Sequence, residues 1–202
     1  VDNTLHSLRG DEPWVSLDCG VSTIAMTVSN DIFWIVNDRG EVLTFKTHST
    51  RALSALPMEC PMQQVVVASD GDIVFGVGTN GDIYKYTCGL QRWSYICGSV
   101  ERLAVSNDCR SMWAVNSSAR IYHSSDQGHT WQHVSGSLRD IIVSRDGKHV
   151  WGLDWRGTLY YRNGLHYGWV EIGGELESIA TSVDGWQLWG VDKKGQAWTC
   201  VS

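Results

Sequence analysis

The sequence predicts an all-β fold, a β-propeller of four-stranded antiparallel blades, from a repeated segment, its turn pairs and one recurring serine. Five copies of the segment follow one another, and the clearest copies begin at Trp93, Trp131 and Trp169. A Ser ends the same apolar run in every copy, at steps of 40, 37, 38 and 38 residues: Ser29, Ser69, Ser106, Ser144 and Ser182. Repeats of this length are typical of propeller blades and of two-helix solenoids.

The composition within the copies favours strands over helices. Short segments rich in Val, Ile, Trp and Tyr have a period of two residues and are separated by turn pairs such as Asn80-Gly81 and Asp146-Gly147. No window has the sustained spacing of three and four residues that an amphipathic helix needs, so the solenoid is rejected. In the fourth copy we predict four strands, a to d, near residues 139–144, 149–154, 158–162 and 169–172.

The two ends of the chain predict how the propeller closes. The last copy supplies strands a, b and c between Leu176 and Cys200, whereas Trp14 to Asp18 has the pattern of strand d without a preceding a and b. We therefore expect Trp14 to Asp18 to complete the last blade, which gives five blades in a single domain, residues 1–202, without an exposed sheet edge. Six blades are the alternative, because residues 1–13 resemble the end of a further copy.

The composition of the chain limits the kinds of binding partner and the cellular location that we expect. The formal net charge of -6 and the lack of a basic run argue against nucleic acid and anionic membrane surfaces. No apolar stretch reaches the roughly 18 residues that would span a membrane. The first residue is Val1 rather than Met, and there are six cysteines, an even number that favours an extracellular protein. We expect a secreted protein.

The cysteines and one asparagine predict covalent modifications. Cys88 and Cys109 fall at the same end of neighbouring predicted blades, so they are one candidate disulfide. An unpaired Cys would link a partner chain or a second copy of this chain. Asn116-Ser117-Ser118 is an N-glycosylation sequon in a predicted turn.

Several motifs of enzymes are present, but each has a simpler structural interpretation. Residues 76–81 match G-x-G-x-x-G, yet no helix follows that would hold a pyrophosphate, and the repeat alignment makes them a b–c turn. His129 and His133 would lie about 13 Å apart on a strand, too far for one zinc ion. There is no nucleophile elbow and no P-loop. We expect no enzymatic activity, cofactor or metal.

Residues 124–131, SSDQGHTW, resemble the Asp box, Ser-x-Asp-x-Gly-x-Thr-Trp, of sialidases and other propellers. In those families the box is the hairpin between the third and fourth strands of a blade, where our strand assignment places it independently. Its Asp and Gly stabilise the turn, so the motif supports the fold rather than catalysis. A sialidase would need an arginine cluster and a Tyr nucleophile with an acidic partner, and nothing in the sequence marks such a set.

The tryptophans divide into residues expected in the core and residues available for binding. Four begin copies and four lie in strand b, and we expect these eight to pack between blades: Trp14, Trp93, Trp131, Trp169, Trp34, Trp113, Trp151 and Trp189. Trp155 and Trp186 instead fall in turns, outside the repeat pattern. Trp198 shares the strand-c aromatic position with Tyr84, Tyr122 and Tyr160.

An Asn or Asp ends strand b in four copies, at Asn37, Asn116, Asp154 and Asp192. The simpler interpretation is that these residues only start a turn. The alternative is a sugar site, because carboxylates and amides bind hydroxyls while an aromatic ring packs on the C–H face of a sugar. The resemblance to Asp-box propellers implies binding at the end opposite the box, which is this b–c end.

The repeat motif is Trp-x-x-Ile/Val-x-Gly-x-Leu, an apolar run to Ser, Trp-Gly/Ala-Val-Asn/Asp and Ile/Leu-Tyr. It resembles the tectonin repeat of tachylectin-1-like proteins and fish-egg lectins, over nearly the whole chain after Glu12. The resemblance implies a lectin for microbial or cell-surface glycans, with several weak sites or as the sugar-binding part of a larger complex. The alternative is a protein-interaction scaffold. We predict these carbohydrate-binding residues: Asn37, Tyr84, Asn116, Tyr122, Asp154, Trp155, Tyr160, Asp192 and Trp198.

Overall fold

The fold is all-β. In the computed structural model, the residues described are 4–7, 15–26, 32–46, 54–56, 58, 60–68, 71–182 and 185–201. Every regular element among them is a β-strand, and the strands form five antiparallel sheets, the blades of a β-propeller. The predicted fold class and blade number are confirmed. The chain divides into two compact units, Val1–Gly98 and Ser99–Ser202.

The first unit contains two sheets in which strands that are consecutive in the chain pair side by side. The first sheet has the order β1 (Thr4–Ser7), β2 (Val15–Met26), β3 (Ile32–Asn37), β4 (Val42–Lys46) and β5 (Ser54–Leu56). The second sheet has the order β6 (Met62–Ala68), β7 (Ile73–Gly78), β8 (Ile83–Thr87) and β9 (Arg92–Cys97). In these meanders the b–c turn lies at the opposite end of the sheet from the c–d turn.

The second unit contains three sheets of the same kind. The third sheet has the order β10 (Arg102–Val105), β11 (Met112–Val115), β12 (Arg120–Ser124) and β13 (Gln132–Ser137). The fourth has the order β14 (Asp140–Val143), β15 (His149–Leu153), β16 (Leu159–Asn163) and β17 (Val170–Gly173). The fifth has β18 (Leu176–Thr181), β19 (Gln187–Asp192) and β20 (Ala197–Val201).

The recurring serine closes the turn between strands a and b. Ser106 Oγ donates to Asp108 Oδ1 at 2.7 Å and accepts from the backbone N–H of Ser111 at 2.9 Å. Ser144 makes the equivalent contacts in the next blade, and both serines are fully buried. A buried hydroxyl needs such partners, so the position tolerates few other residues and marks the repeat. Ser29 and Ser69 lie outside the described residues.

Aromatic residues of strand b form the core between blades. Trp34, Phe75, Trp113 and Trp151 are all buried. Trp113 meets Trp169 of the next blade edge-to-face, with ring centroids 6.1 Å apart. Such pairs contribute about 0.5–1.5 kcal/mol beyond the area they bury. The prediction that strand-b tryptophans are core is confirmed for these three tryptophans.

The same prediction is wrong for Trp189, the fourth strand-b tryptophan, because its side chain is 44% exposed. In the second unit the strand-b tryptophans Trp113 and Trp151 are each covered by the following blade. Trp151, for example, packs in one cluster with Leu176 and Leu188 of the fifth sheet. The fifth sheet is the last one of its unit, so no following blade of that unit covers Trp189. Trp14 lies outside the described residues.

The predicted closure by Trp14 to Asp18 is wrong. The described part of that segment begins β2, whose residues Val15 to Gly20 pair with Thr4 to Ser7 of β1 in the first sheet. The described residues of the fifth sheet form three strands. A hairpin with a partner only a few residues away has a low entropic cost of closure, which favours the pairing with β1.

The predicted Cys88–Cys109 disulfide is also wrong. Cys88 is a free thiol that donates to the carbonyl oxygen of Gly71 at 3.0 Å. Burial raises the pKa of the Cys88 thiol and keeps it protonated at neutral pH. The thiol therefore contributes a hydrogen bond that supports the hairpin between β7 and β8.

Candidate functional site

The residues that end strand b share one turn geometry. In each, Oδ1 accepts two backbone N–H groups, from the residues two and four positions later, at 2.8–3.0 Å: Asn37, Asn116, Asp154 and Asp192. The simpler interpretation of these residues as turn formers is therefore correct for Oδ1. The other oxygen or nitrogen of the side-chain end has different partners in the four copies. Of the four residues, Asp154 lines a groove together with the exposed Trp155.

The Trp155 groove lies between the third and fourth sheets. Its volume is about 440 Å³, and eight residues line it: Gly136, Ser137, Leu138, Asp154, Trp155, Arg156, Tyr160 and Trp169. The first three come from β13 and the segment after it, and the others from the fourth sheet. The structure thus brings Asp154, Trp155 and Tyr160 together at one b–c end.

The indole of Trp155 is the most accessible aromatic surface of this groove, at 64% exposed. Its exposure follows from its position, since it stands in the b–c turn directly after Asp154, where no strand packs on it. Tyr160 lies opposite Glu171 on the neighbouring strand, and its hydroxyl donates to Glu171 Oε2 at 3.4 Å. Partial burial and the carboxylates of Glu171 and Asp154 raise the pKa of Tyr160.

The floor of the groove depends on a glycine. Gly136 has a φ of +128°, and a Cβ at this position would lie 3.0 Å from Ile121 Cδ1 and 3.0 Å from Trp169 Cδ1. It is the Gly of the repeat motif, five residues after Trp131. The missing side chain lets the indole of Trp169 come close to β13. Sequence reasoning found the motif but not this contact, because the contact joins two blades.

The side chain of Arg139 holds the b–c turn that carries Trp155 in place by hydrogen bonds. No sequence motif predicted this role. Its Nε donates to the backbone carbonyl of Asp154 at 3.0 Å. Its Nη2 donates to the carbonyls of Leu176 at 3.1 Å and Glu177 at 2.6 Å. One guanidinium therefore connects the turn that carries Trp155 to the start of the fifth sheet. Its signal in the sequence is weak, because the corresponding residues of the neighbouring copies are Glu101 and Glu177.

An equivalent groove lies between the first and second sheets. The Trp93 groove has a volume of about 370 Å³ and eight lining residues: Leu56, Met58, Tyr84, Tyr86, Gln91, Arg92, Trp93 and Tyr95. Tyr84 and Trp93 occupy the repeat positions of Tyr160 and Trp169 in the Trp155 groove. Two blade pairs, one in each unit, therefore present an aromatic groove built on the same repeat positions.

The other predicted residues lie outside the two grooves. Asn37 is buried, and its Nδ2 donates to Glu41 Oε2 at 2.6 Å. Tyr122 packs edge-to-face on His133, with ring centroids 5.7 Å apart. Asp192 Oδ2 accepts from Nε1 of the exposed Trp198 at 3.1 Å. Asn116 holds its own turn. These residues form turns and ring pairs and line neither of the two grooves.

The Asp box has the predicted place and role. It forms the turn between β12 and β13, strands c and d of the third sheet. Asp126 Oδ1 accepts from the backbone N–H of Thr130 at 2.9 Å, and Oδ2 accepts from the Thr130 hydroxyl at 2.6 Å. These bonds, together with one from Ser124, lower the pKa of Asp126 to about 2. The box is at the opposite end of its sheet from the b–c turn.

Two findings on the described residues concern other kinds of site. No group of three or more His, Cys, Asp or Glu side chains in the described part of the chain is arranged to hold a metal ion. Among the same residues, no helix has the length and hydrophobicity needed to cross a membrane.

The fold and the grooves define a β-propeller of antiparallel blades with aromatic grooves between neighbouring blades of each unit. The family model of the Tectonin domain matches residues 2–193. The chain therefore belongs to the tectonin family, and the resemblance seen in the repeat motif is confirmed. No curated protein matches the chain.

Proposed function

We propose that this protein is a lectin that binds glycans without converting them, at several weak sites, outside the cell. The observation that carries the proposal is the Trp155 groove, where an indole that is 64% exposed stands beside hydrogen-bonding side chains. An exposed Trp offers an apolar ring face together with a polar N–H, which suits a ligand such as a sugar that has both apolar and polar surfaces. An open groove of this size fits one or two sugar rings.

The chemistry of the groove suits a sugar. The face of the Trp155 indole offers a flat surface for the axial C–H groups of a pyranose ring. Oδ1 of Asp154 is used by the turn, which leaves Oδ2 to accept from sugar hydroxyls. The Arg156 guanidinium donates, and the hydroxyl oxygen of Tyr160, whose proton goes to Glu171 Oε2, accepts. Stacking on an aromatic face and hydrogen bonding to hydroxyl groups are therefore both available within one groove.

Weak single sites become strong when several act together. A shallow sugar site is expected to have a dissociation constant near 1 mM, about -4 kcal/mol. When a second site of the same chain engages the same glycan surface, avidity increases by about 10² to 10⁴ without a new contact. The recurrence of the groove as the Trp93 groove supports this multivalent mode.

The test compares Trp155→Ala with a matched control on a glycan array and by calorimetry. Tyr167 is 65% exposed and does not line the groove, so Tyr167→Ala removes a similarly exposed aromatic ring. Loss of the stacking surface is expected to weaken binding by about 1–2 kcal/mol, roughly 5- to 30-fold, for Trp155→Ala alone. The melting temperature of Trp155→Ala is expected to stay close to that of the wild type.

Two results would contradict the proposal. A large fall in melting temperature for Trp155→Ala would show that the indole is part of the core. Absence of any glycan binding, together with specific binding of a purified protein, would instead support an interaction scaffold.

A further inference from the structure

The Trp93 groove differs from the Trp155 groove in the charge of its lining. Four of its eight lining residues are aromatic: Tyr84, Tyr86, Trp93 and Tyr95. Among the described residues of its lining Arg92 is the only charged one, whereas the Trp155 groove is lined by both Asp154 and Arg156. In a chain with a net charge of -6, a described lining that includes a cation and no carboxylate favours an anionic ligand.

The aromatic wall of the groove is ordered by cross-strand pairs. Tyr84 faces Tyr95, with ring centroids 6.1 Å apart, and Tyr86 faces Trp93 at 5.1 Å. Tyr95 is 62% exposed, so one side of its ring is available for stacking. A hydrogen bond between Tyr84 and the Cys60 thiol, 3.5 Å apart, is the first cause that raises the pKa of Tyr84, and burial is the second. The phenol of Tyr84 therefore adds no negative charge at neutral pH.

Arg92 stands at one end of this wall. It begins β9 beside the c–d turn, three residues and about 10 Å before Tyr95. Its side chain is exposed and forms no ion pair with a described residue. The nearest carboxylate of the same blade's b–c turn, Asp82, accepts from Asn80 Nδ2 at 2.8 Å at the other end of the groove. The aromatic wall and the guanidinium thus present separate places for a ring and for an anionic group.

We propose that the Trp93 groove binds an acidic hexopyranoside, with the ring on Tyr95 and Trp93 and the anionic group on Arg92. The proposal rests on the lectin function proposed above and assigns this second groove its own class of glycan. A planar guanidinium forms two parallel hydrogen bonds with a carboxylate, which favours a uronic acid. A sulfate ester offers the same negative oxygens. The volume of about 370 Å³ lies within the range of small-ligand sites.

The experiment compares methyl β-D-glucuronide with methyl β-D-glucoside, which differ only in the carboxylate. Titration of the full chain is followed by two-dimensional NMR of the indole and guanidinium N–H signals. The wild type is expected to bind the glucuronide about five- to tenfold more tightly than the glucoside, and the difference decreases as salt is added. Methyl β-D-glucoside 6-sulfate shows whether a sulfate replaces the carboxylate.

Arg92→Gln is the decisive variant, and Arg110→Gln is its matched control. Arg110 is an exposed arginine in an a–b turn of the other unit and does not line the groove, so the control makes the same change of charge without changing the lining. Arg92→Gln is expected to lower the affinity for the glucuronide to about that for the glucoside, which removes the preference. Arg110→Gln is expected to behave as the wild type. Both exposed positions should keep the wild-type melting temperature.

The outcomes separate this proposal from the lectin proposal. If Arg92→Gln binds the glucuronide as tightly as the wild type, or if the wild type has no preference, the acidic site is refuted. If neutral glycans still bind the wild type and bind Trp155→Ala more weakly, the lectin proposal holds even though the acidic site is refuted. If no saccharide of either kind binds, both proposals fail.

Discussion

Gly136→Ala tests whether close approach of two blades builds the floor of the Trp155 groove. The substitution adds one methyl group at a backbone φ of +128°, a conformation that residues other than Gly rarely adopt. The new Cβ would also lie 3.0 Å from both Ile121 Cδ1 and Trp169 Cδ1. The variant therefore carries a backbone cost and a packing cost, and the two can be separated.

The size of each cost follows from the geometry. A non-glycine residue with a positive φ costs about 1–2 kcal/mol. The contact with Ile121 and Trp169 forces one of the two side chains to move, which costs roughly another 1–2 kcal/mol. We expect the free energy of unfolding to fall by about 2–4 kcal/mol. For a chain of 202 residues this corresponds to a melting temperature lower by roughly 5–15 °C.

Gly173→Ala is the matched control. Gly173 also has a positive φ, +97°, but a Cβ added there would have no atom within 4 Å. The free energy of unfolding of Gly173→Ala should therefore fall only by the backbone cost, about 1–2 kcal/mol. Urea and thermal unfolding, followed by tryptophan fluorescence, measure both variants. Equal losses for Gly136→Ala and Gly173→Ala would refute the packing argument, since only Gly136 faces Trp169.

Two further predictions concern the turns. Arg139→Met removes three hydrogen bonds to backbone carbonyls, so urea unfolding should show a loss of about 2–4 kcal/mol; a loss below about 1 kcal/mol would contradict its anchoring role. The pKa of Asp126 is about 2 in the folded protein, below the value of about 3.9 for an unfolded chain. Its stabilising contribution is present above pH 4 or so and is lost as the pH falls from about 4 to about 2. The stability difference between the wild type and Asp126→Asn should therefore shrink over this window, and a constant difference down to about pH 2 would refute the role of the Asp126 carboxylate.

The elements within one blade could be predicted because their causes are local. The four strands predicted for the fourth copy agree with β14 to β17 to within one residue at each end. The Asp box and the Asn/Asp turns were also located correctly, since each depends on hydrogen bonds between residues at most five positions apart. Even the exposure of Trp155 followed from its place outside the repeat pattern.

The errors arose where blades meet other parts of the chain. The repeat pattern assigned Trp189 to the core, but burial depends on a following blade, which the position within a copy does not encode. The contact of Gly136 with Trp169 spans 33 residues and joins two copies, so no local pattern contains it. The pairing of Val15 to Gly20 with β1 was missed because strand patterns do not specify which of two edges a strand joins.

The Asx turn at Asp154 has a consequence for the energetics of ligand binding. Two backbone N–H groups hold Oδ1, so the carboxylate has one orientation before any ligand arrives. Ordering a mobile side chain at an interface typically costs about 0.5–1.5 kcal/mol in conformational entropy. Asp154 has lost that entropy during folding, so a hydroxyl that binds Oδ2 meets an acceptor already in place. The same hydrogen bonds that start a turn in every well-formed copy thus supply a rigid acceptor wherever a groove forms beside it.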